Sequence, residues 1–293
     1  MHDRIAGEAD FRHRWIRLVA GRRPDVRTRF EAGRIDCAGL QLRYQGRTPV
    51  AALQQLAWEE AIFCRPCWQL YLALPPRDLA GLSTIAAEVR TSGIIWTRVA
   101  SEFVRVIETL RAAGFEPLLE MTNLEMPLAK WRPSMTITNI ETRLAMSRDA
   151  AAVGRIAAHM FSQDRFHVDP KIAPRLADKA QRVWAYNSVL GKVADQVLVS
   201  VDEGRISGFH ALKWLETPQG RVGLTVLMGV DAAHRGRGIG RALLVAGLIA
   251  LQRGWACQAW VRTESANIAA TQLYQEAGFR PRLRFWYLRK LNV

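Results

Sequence analysis

Cysteine is scarce in this chain, no apolar run is long enough to cross a membrane, and acidic side chains are outnumbered by basic ones. The four cysteines, Cys37, Cys64, Cys67 and Cys257, are too few and too scattered for a disulfide framework in a chain able to bury a large core. A reducing cytoplasm is therefore the expected compartment. Cys64-Arg-Pro-Cys67 has the spacing of a zinc half-site or thiol pair, but no second cysteine pair follows at finger spacing, and no metal site is expected. Residues 1–30 lack the apolar core of a secretory signal. The longest apolar stretch, Ala242 to Leu251, is about half of what a membrane span needs and reads as a buried helix. A Gly-Lys-Ser or Gly-Lys-Thr triplet is also missing, which excludes the Walker A phosphate loop.

What remains is an ordinary globular composition: 293 residues, 49% hydrophobic and 23% charged, enough for two domains of about 150 residues each. Lys and Arg number 41 against 27 Asp and Glu, a formal charge of +14. Most of the basic residues are Arg, whose forked donors suit phosphate oxygens, so an anionic partner is expected; an Arg-rich solvated surface is the bland alternative. The ten tryptophans form no aromatic-basic stripe, and nucleic acid is not the expected partner.

Apolar periodicity and Gly/Pro punctuation predict alternating strands and helices, hence a sheet flanked by helices. In the first half, strands are expected at 68–74, 93–98 and 115–122, with helices at 78–89 and 101–113. Two prolines in Pro127-Leu-Ala-Lys-Trp-Arg-Pro133 mark a linker within 123–139. The second half predicts strands at 141–146, 196–201, 206–214, 222–230, 256–261 and from 282 onward, and helices at 149–160, 174–190, 239–252 and 268–276. Asp149 is the expected N-cap of its helix, and Gly191 the expected stop of the helix before it. Leu110-Arg-Ala-Ala-Gly-Phe-Glu-Pro117 echoes Tyr274-Gln-Glu-Ala-Gly-Phe-Arg-Pro281, which fits either a duplication or a common helix-to-strand junction.

The most informative segment runs from Val226 to Leu243. A buried strand enters a turn with Gly236, Gly238 and Gly240, and this opens directly onto an apolar helix. Glycines permit close backbone approach, the helix N-terminus offers unpaired amides, and Arg235, Arg237 and Arg241 add positive charge, so the turn should bind phosphate oxygens. The dinucleotide fingerprint is not met: the third glycine has the wrong spacing, and position 262, where an acidic ribose ligand would stand, is Arg262.

Arg235-Gly-Arg-Gly238-Ile-Gly240 resembles the Arg/Gln-x-x-Gly-x-Gly/Ala signature of the GCN5-related N-acetyltransferases (GNAT). After one intervening strand, Asn267-x-x-Ala270-x-x-Leu273-Tyr274-x-x-x-Gly278-Phe279 is similar to that family's late helix. The resemblance covers residues 139–293 and implies a mixed α/β (α+β) GNAT fold with a central sheet flanked by helices. Residues 1–130 would form a degenerate GNAT-like domain, and 139–293 the catalytic one. It implies acetyl-CoA as cosubstrate, with Met228, Gly229 and Val230 on the pantetheine and acetyl carbonyl, residues 235–241 including Ile239 around the pyrophosphate, and Asn267 on the cofactor arm. Tyr274 is implied as general acid, while a core tyrosine is its alternative. His210 is the leading candidate for the base, with Glu216 next, although a lone strand histidine is usually structural.

The stretch 161–170, followed by Trp184 and Asn187, is similar to part of the dTDP-fucosamine N-acetyltransferases. Arg165, His167, Asp169, Trp184 and Asn187 are the implied acceptor residues, and the acceptor would be a small amine, above all an anionic nucleotide-linked 4-amino-4-deoxy sugar. A peptide amine or antibiotic is the alternative acceptor, and a non-catalytic GNAT-fold binding module the alternative class. A homodimer is compatible with this reading.

Overall fold

The computed structural model describes residues 40–45, 48–72, 78–89, 91–133, 140–217 and 220–292. The chain divides into two compact units, 1–122 with 283–293, and 123–282. The last strand of the chain thus returns to complete the first unit.

In the first unit the described elements are β1 (Leu40–Gln45), β2 (Thr48–Gln55), α1 (Ala57–Phe63), β3 (Cys67–Leu72), α2 (Leu79–Glu88), β4 (Gly93–Ala100), α3 (Val104–Ala112) and β5 (Glu116–Pro127), joined by most of β11 (Arg280–Asn292). Strand order is β1-β2-β3-β4-β11-β5. β3 and β4 are parallel, as a crossover through α2 requires. Val106, Leu110, Phe115, Ile95 and Leu288 lie in one buried cluster, which is the 3.6-residue stripe of α3 closing over the strands. The element α1 and the first two strands were not anticipated. Cys64 is the exposed left-handed cap of α1, and Cys67 is buried at the start of β3.

The second unit holds the end of β5, then β6 (Glu141–Leu144), α4 (Ala150–Met160), α5 (Pro174–Val189), β7 (Gln196–Asp202), β8 (Arg205–Thr217), β9 (Gly220–Val230), α6 (Ile239–Arg253), β10 (Gln258–Glu264) and α7 (Ile268–Glu276). Here the order is β5-β10-β9-β8-β7-β6. The pairs β6–β7, β7–β8 and β8–β9 are antiparallel, and β9–β10 is parallel. α6 is buried nearly all round through Leu243, Leu244, Leu248 and Leu251, each contributing roughly 2 kcal/mol of apolar burial. α4 and α5 pack through Val153, Ala157 and Ala185 with Val199, Phe209 and Leu227 in a separate cluster. A central sheet flanked by helices is therefore the architecture, as the alternation of elements predicts.

Several boundaries differ from expectation. β5 continues to Pro127, so the expected linker starts inside a strand; Leu128 and Trp131 are buried, and the Trp131 indole donates to Ala277 O at 3.0 Å. Residues 134–139, the rest of that linker, lie outside the described residues, as do positions 73 and 74 of the first expected strand. β10 runs three residues further than predicted, and β11 begins two residues earlier. Asp149 does not cap α4 with its side chain. It turns back to accept from Met146 N at 2.8 Å and from the Arg143 fork at 2.6 and 3.1 Å, and these bonds hold its carboxyl below the usual range. Gly191, at φ +73, follows α5 as predicted.

The echoed junctions fold alike. Phe115 N bonds Leu110 O at 2.9 Å and Gly114 N bonds Arg111 O at 3.0 Å; Phe279 N bonds Tyr274 O and Gly278 N bonds Gln275 O, both at 3.0 Å. Both helices end in the same left-handed glycine motif, with Gly114 at φ +90 and Gly278 at φ +105.

Candidate active site

The site is built where two parallel strands part. The registered pairs between β9 and β10 stop at Leu224–Trp260, yet β9 runs on to Val230 and β10 to Glu264. A ligand with amide groups can therefore pair with the inner edge of β9, as a missing strand would. Met160 of α4 lies over Gly229, and a side chain at 229 would displace the end of its flexible thioether. Met228 and Val230 are partly buried and pack toward the α6 side.

Beyond β9, Asp231 caps a short 3-10 turn, Ala232–His234. Gly236 and Gly238 then adopt φ of +77 and +83. Gly238 is the N-cap of α6 and supplies no side-chain acceptor, so the first amides of Ile239, Gly240 and Arg241 are left to a ligand. The arginines are less open than the sequence suggests. Arg237 pairs with Asp202 at 2.7 Å, Arg241 with Glu276 at 2.5 Å, and Arg235 Nε reaches Val230 O at 3.4 Å. Exposed pairs of this kind contribute little and exchange readily for phosphate. The backbone and charge thus fit a pyrophosphate.

On the other side of the parting, Asn267 caps α7 by accepting from Ala270 N at 3.1 Å, which aims the helix carrying Tyr274. The Tyr274 ring is 6% exposed and meets Phe279 edge-on, with centroids 5.8 Å apart. Burial, and then the Glu264 carboxylate, push its phenol above the usual range. Glu264 itself was missed by the sequence reading because β10 was ended at Val261. Its side chain is half-buried; desolvation raises its carboxyl, with Asp164 adding to the rise and hydrogen bonds from Thr263 and Asn267 opposing it.

Neither anticipated base is placed for the role. His210 pairs across the sheet with Met228, but its ring points under α6 and is fully buried. Nδ1 donates to Leu243 O at 2.9 Å, and Nε2 accepts from Thr225 Oγ1 at 3.0 Å. Burial lowers its pKa to about 4, so it is a neutral core histidine with both nitrogens occupied. Glu216 lies beside Arg221, its ion-pair partner at 2.5 Å, at the entry end of β9. That is seven residues from Met228, or roughly 20 Å along a strand.

The expected acceptor residues separate into two kinds. In the loop between α4 and α5, the His167 imidazole is held between Asp164 at 2.5 Å and Asp178 at 3.1 Å. Asp169 is 1% exposed and accepts from Lys171 N at 2.9 Å. These two brace the loop. The Arg165 guanidinium lies 4.6 Å over the Phe166 ring, and Trp184 and Asn187 are half-buried one turn apart on α5. These three retain surface for a ligand.

Residues 194–281 match the family model of an acetyltransferase (GNAT) domain, and the fold is that of the GCN5-related N-acetyltransferases. A GCN5-related N-acetyltransferase from Sphaerobacter thermophilus superposes with a TM-score of 0.65 at 16% identity, covering 97% of this chain and 93% of that one. A tandem GNAT protein from the clavulanic acid biosynthesis pathway gives 0.59 at 13% identity, covering 96% and 94%. Among curated relatives, a mycothiol acetyltransferase of Thermobispora bispora is 39% identical over 79 residues, 26% of this chain and 27% of that protein. One from Nocardia farcinica is also 39% identical, over 77 residues, 26% and 25%. The chain spans about a quarter of the length of the curated relatives it matches. These relatives do not carry the dTDP-fucosamine name expected from the narrower resemblance. Among the described residues, no helix is long and apolar enough to cross a membrane.

Proposed function

We propose that this chain is an acetyl-CoA-dependent N-acetyltransferase acting on a small amine, with its active site in the second unit. The observation that carries the reading is the parting of β9 from β10 immediately before a glycine turn that opens α6 without a side-chain cap. Acetyl-CoA would supply the activated acetyl thioester. The β9 edge near Met228–Val230 would orient its amides, and residues 235–241 would take the pyrophosphate. Tyr274, buried and kept protonated, would donate to the departing sulfur.

For the acceptor, the name of the relatives favours a mycothiol-like small molecule, whereas the +14 charge, Arg165 and Trp184 favour a nucleotide-linked amino sugar through phosphate pairing and ring stacking. The first half is read as a degenerate GNAT-like domain. Its matching helix carries Leu110 where Tyr274 stands, and no Arg-x-x-Gly-x-Gly follows β3, so it would lack a second active site.

The test is formation of free CoA from acetyl-CoA, followed by chromatography, across free amino sugars, a mycothiol-like small molecule, nucleotide-linked amino sugars, peptides and polyamines. Turnover with one of the small-molecule classes is expected. Acetylation of peptides alone overturns the acceptor class, and coenzyme binding without turnover on any amine reduces the chain to a binding module.

A further inference from the structure

A bound amine at neutral pH is an ammonium ion, and it must lose a proton before nitrogen can attack a carbonyl. The acetyltransferase reading therefore requires an acceptor for that proton near the reacting end of β9. His210 is enclosed beneath α6, and Glu216 stands at the far end of its strand. A different carboxylate is in the right place.

We propose that Glu264 is the general base of this active site. It is the last residue of β10, at the end of the strand that parts from β9 beyond Trp260. Its main chain anchors the neighbouring helix cap: Asn267 N donates to Glu264 O at 2.9 Å, and Asn267 then caps α7, the helix bearing Tyr274. The Glu264 side chain accepts from Thr263 Oγ1 at 3.4 Å. It is half-buried, hence reachable, and among the described residues no ion pair to a cation holds it; its charged neighbour from the α4–α5 loop is Asp164, and from α7 its titratable neighbour is Tyr274. Base and acid thus stand on consecutive elements, joined through one capping asparagine.

This proposal rests on the acetyltransferase reading and completes its proton balance. The ammonium gives one proton to Glu264; nitrogen attacks the acetyl carbonyl, forming C–N as C–S breaks. The thiolate takes the Tyr274 proton, and the phenolate is reprotonated by the second proton lost from nitrogen. Glu264 returns its proton to water, so the sum is amide, free thiol and one proton. The two groups are also linked. The Glu264 charge is one cause of the raised Tyr274 phenol, and neutralising it by the first transfer removes that cause, easing the donation that follows.

The burial of Glu264, reinforced by Asp164, places the rising limb of the kcat/KM profile above the ordinary carboxylate range, because the base must be ionised. The experiment is Glu264→Gln, with three readouts. Turnover should fall by roughly 10²–10⁴-fold, the rising limb should vanish, and acetyl-CoA affinity by calorimetry should stay unchanged. Wild-type turnover with an unchanged pH profile in Glu264→Gln overturns the proposal. So does loss of acetyl-CoA affinity, which would make Glu264 a structural support of Asn267. A wild-type chain that binds acetyl-CoA yet acetylates no amine overturns the parent reading, and the proposal with it.

Discussion

His210 Nδ1 donates to the main-chain oxygen of Leu243 at 2.9 Å, a carbonyl that helix geometry also offers to the amide of Gly247. This bond fixes the tautomer, leaving Nε2 to accept from Thr225 Oγ1, and it ties β8 to the middle of α6.

The first expected outcome concerns acid. Unfolded His210 titrates near 6.5, whereas the folded chain keeps it neutral down to about 4. Between these values the unfolded state binds a proton that the folded state does not, so stability falls as pH drops through this window. The loss approaches roughly 3 kcal/mol at the low end. Urea unfolding at pH 7, 5.5 and 4.5 should show this decline and should show less of it in His210→Gln. Identical pH dependence in the two proteins would remove His210 as the source.

Gly247 faces the same ring closely enough that a methyl group there would strike it. Gly247→Ala should therefore destabilise by about 1–3 kcal/mol through overpacking, despite alanine's better helix propensity. In Gly247→Ala/His210→Ala the clash has no partner, and the double-mutant cycle should be strongly non-additive. Additive effects in denaturant melts would mean that the helix shifts to accommodate the methyl.

How much of this was readable in advance depends on which force set each feature. The glycine turn and α6 were legible because apolar periodicity and backbone freedom are local properties. The end of β10 was not, because Arg262-Thr263-Glu264 is polar and reads as a loop. Those residues stay extended through tertiary partners such as Asn123, which accepts from Arg262 Nε at 2.8 Å. The same partner explains why β5 outran its predicted end at Thr122. For His210 the sequence placed the residue on a strand near the cofactor end, but alternation alone could not say which sheet face it takes. Asp169 and His167 were expected at the acceptor because the loop is polar; in the fold that polarity is consumed by Lys171 N, Asp164 and Asp178.

Coenzyme binding should depend on the side chain at 240 for a reason separable from folding. A methyl group at 240 would meet only Leu273 at 3.6 Å and Val230 at 3.7 Å, ordinary contacts, and this glycine is not in the left-handed region. Gly240→Ala should fold normally and keep CoA binding near wild type, as the Gly/Ala position of the signature implies, whereas Gly240→Asp should abolish binding by placing negative charge at the helix N-terminus. Gly238→Asp should also lose CoA, but at φ +83 it carries a backbone cost of about 1–2 kcal/mol. Calorimetry beside thermal melts separates these effects, and unchanged affinity in folded Gly240→Asp would move the pyrophosphate elsewhere.

Tyr274 unites a core position with a proposed chemical role, and Tyr274→Phe divides them. The ring packs edge-on against Phe279 at 5.8 Å, a contact that phenylalanine preserves, so stability should change by no more than about 1 kcal/mol. The hydroxyl alone is lost, and with it the proton for the leaving thiolate. Turnover should fall by roughly 10²–10⁴-fold while the acetyl-CoA Kd stays near wild type. An acetyl-donor thioester with a more acidic leaving thiol needs less protonation, so the deficit should shrink with acetyl donors of low thiol pKa. A deficit independent of the leaving thiol would assign Tyr274 to positioning, and wild-type turnover would return it wholly to the core.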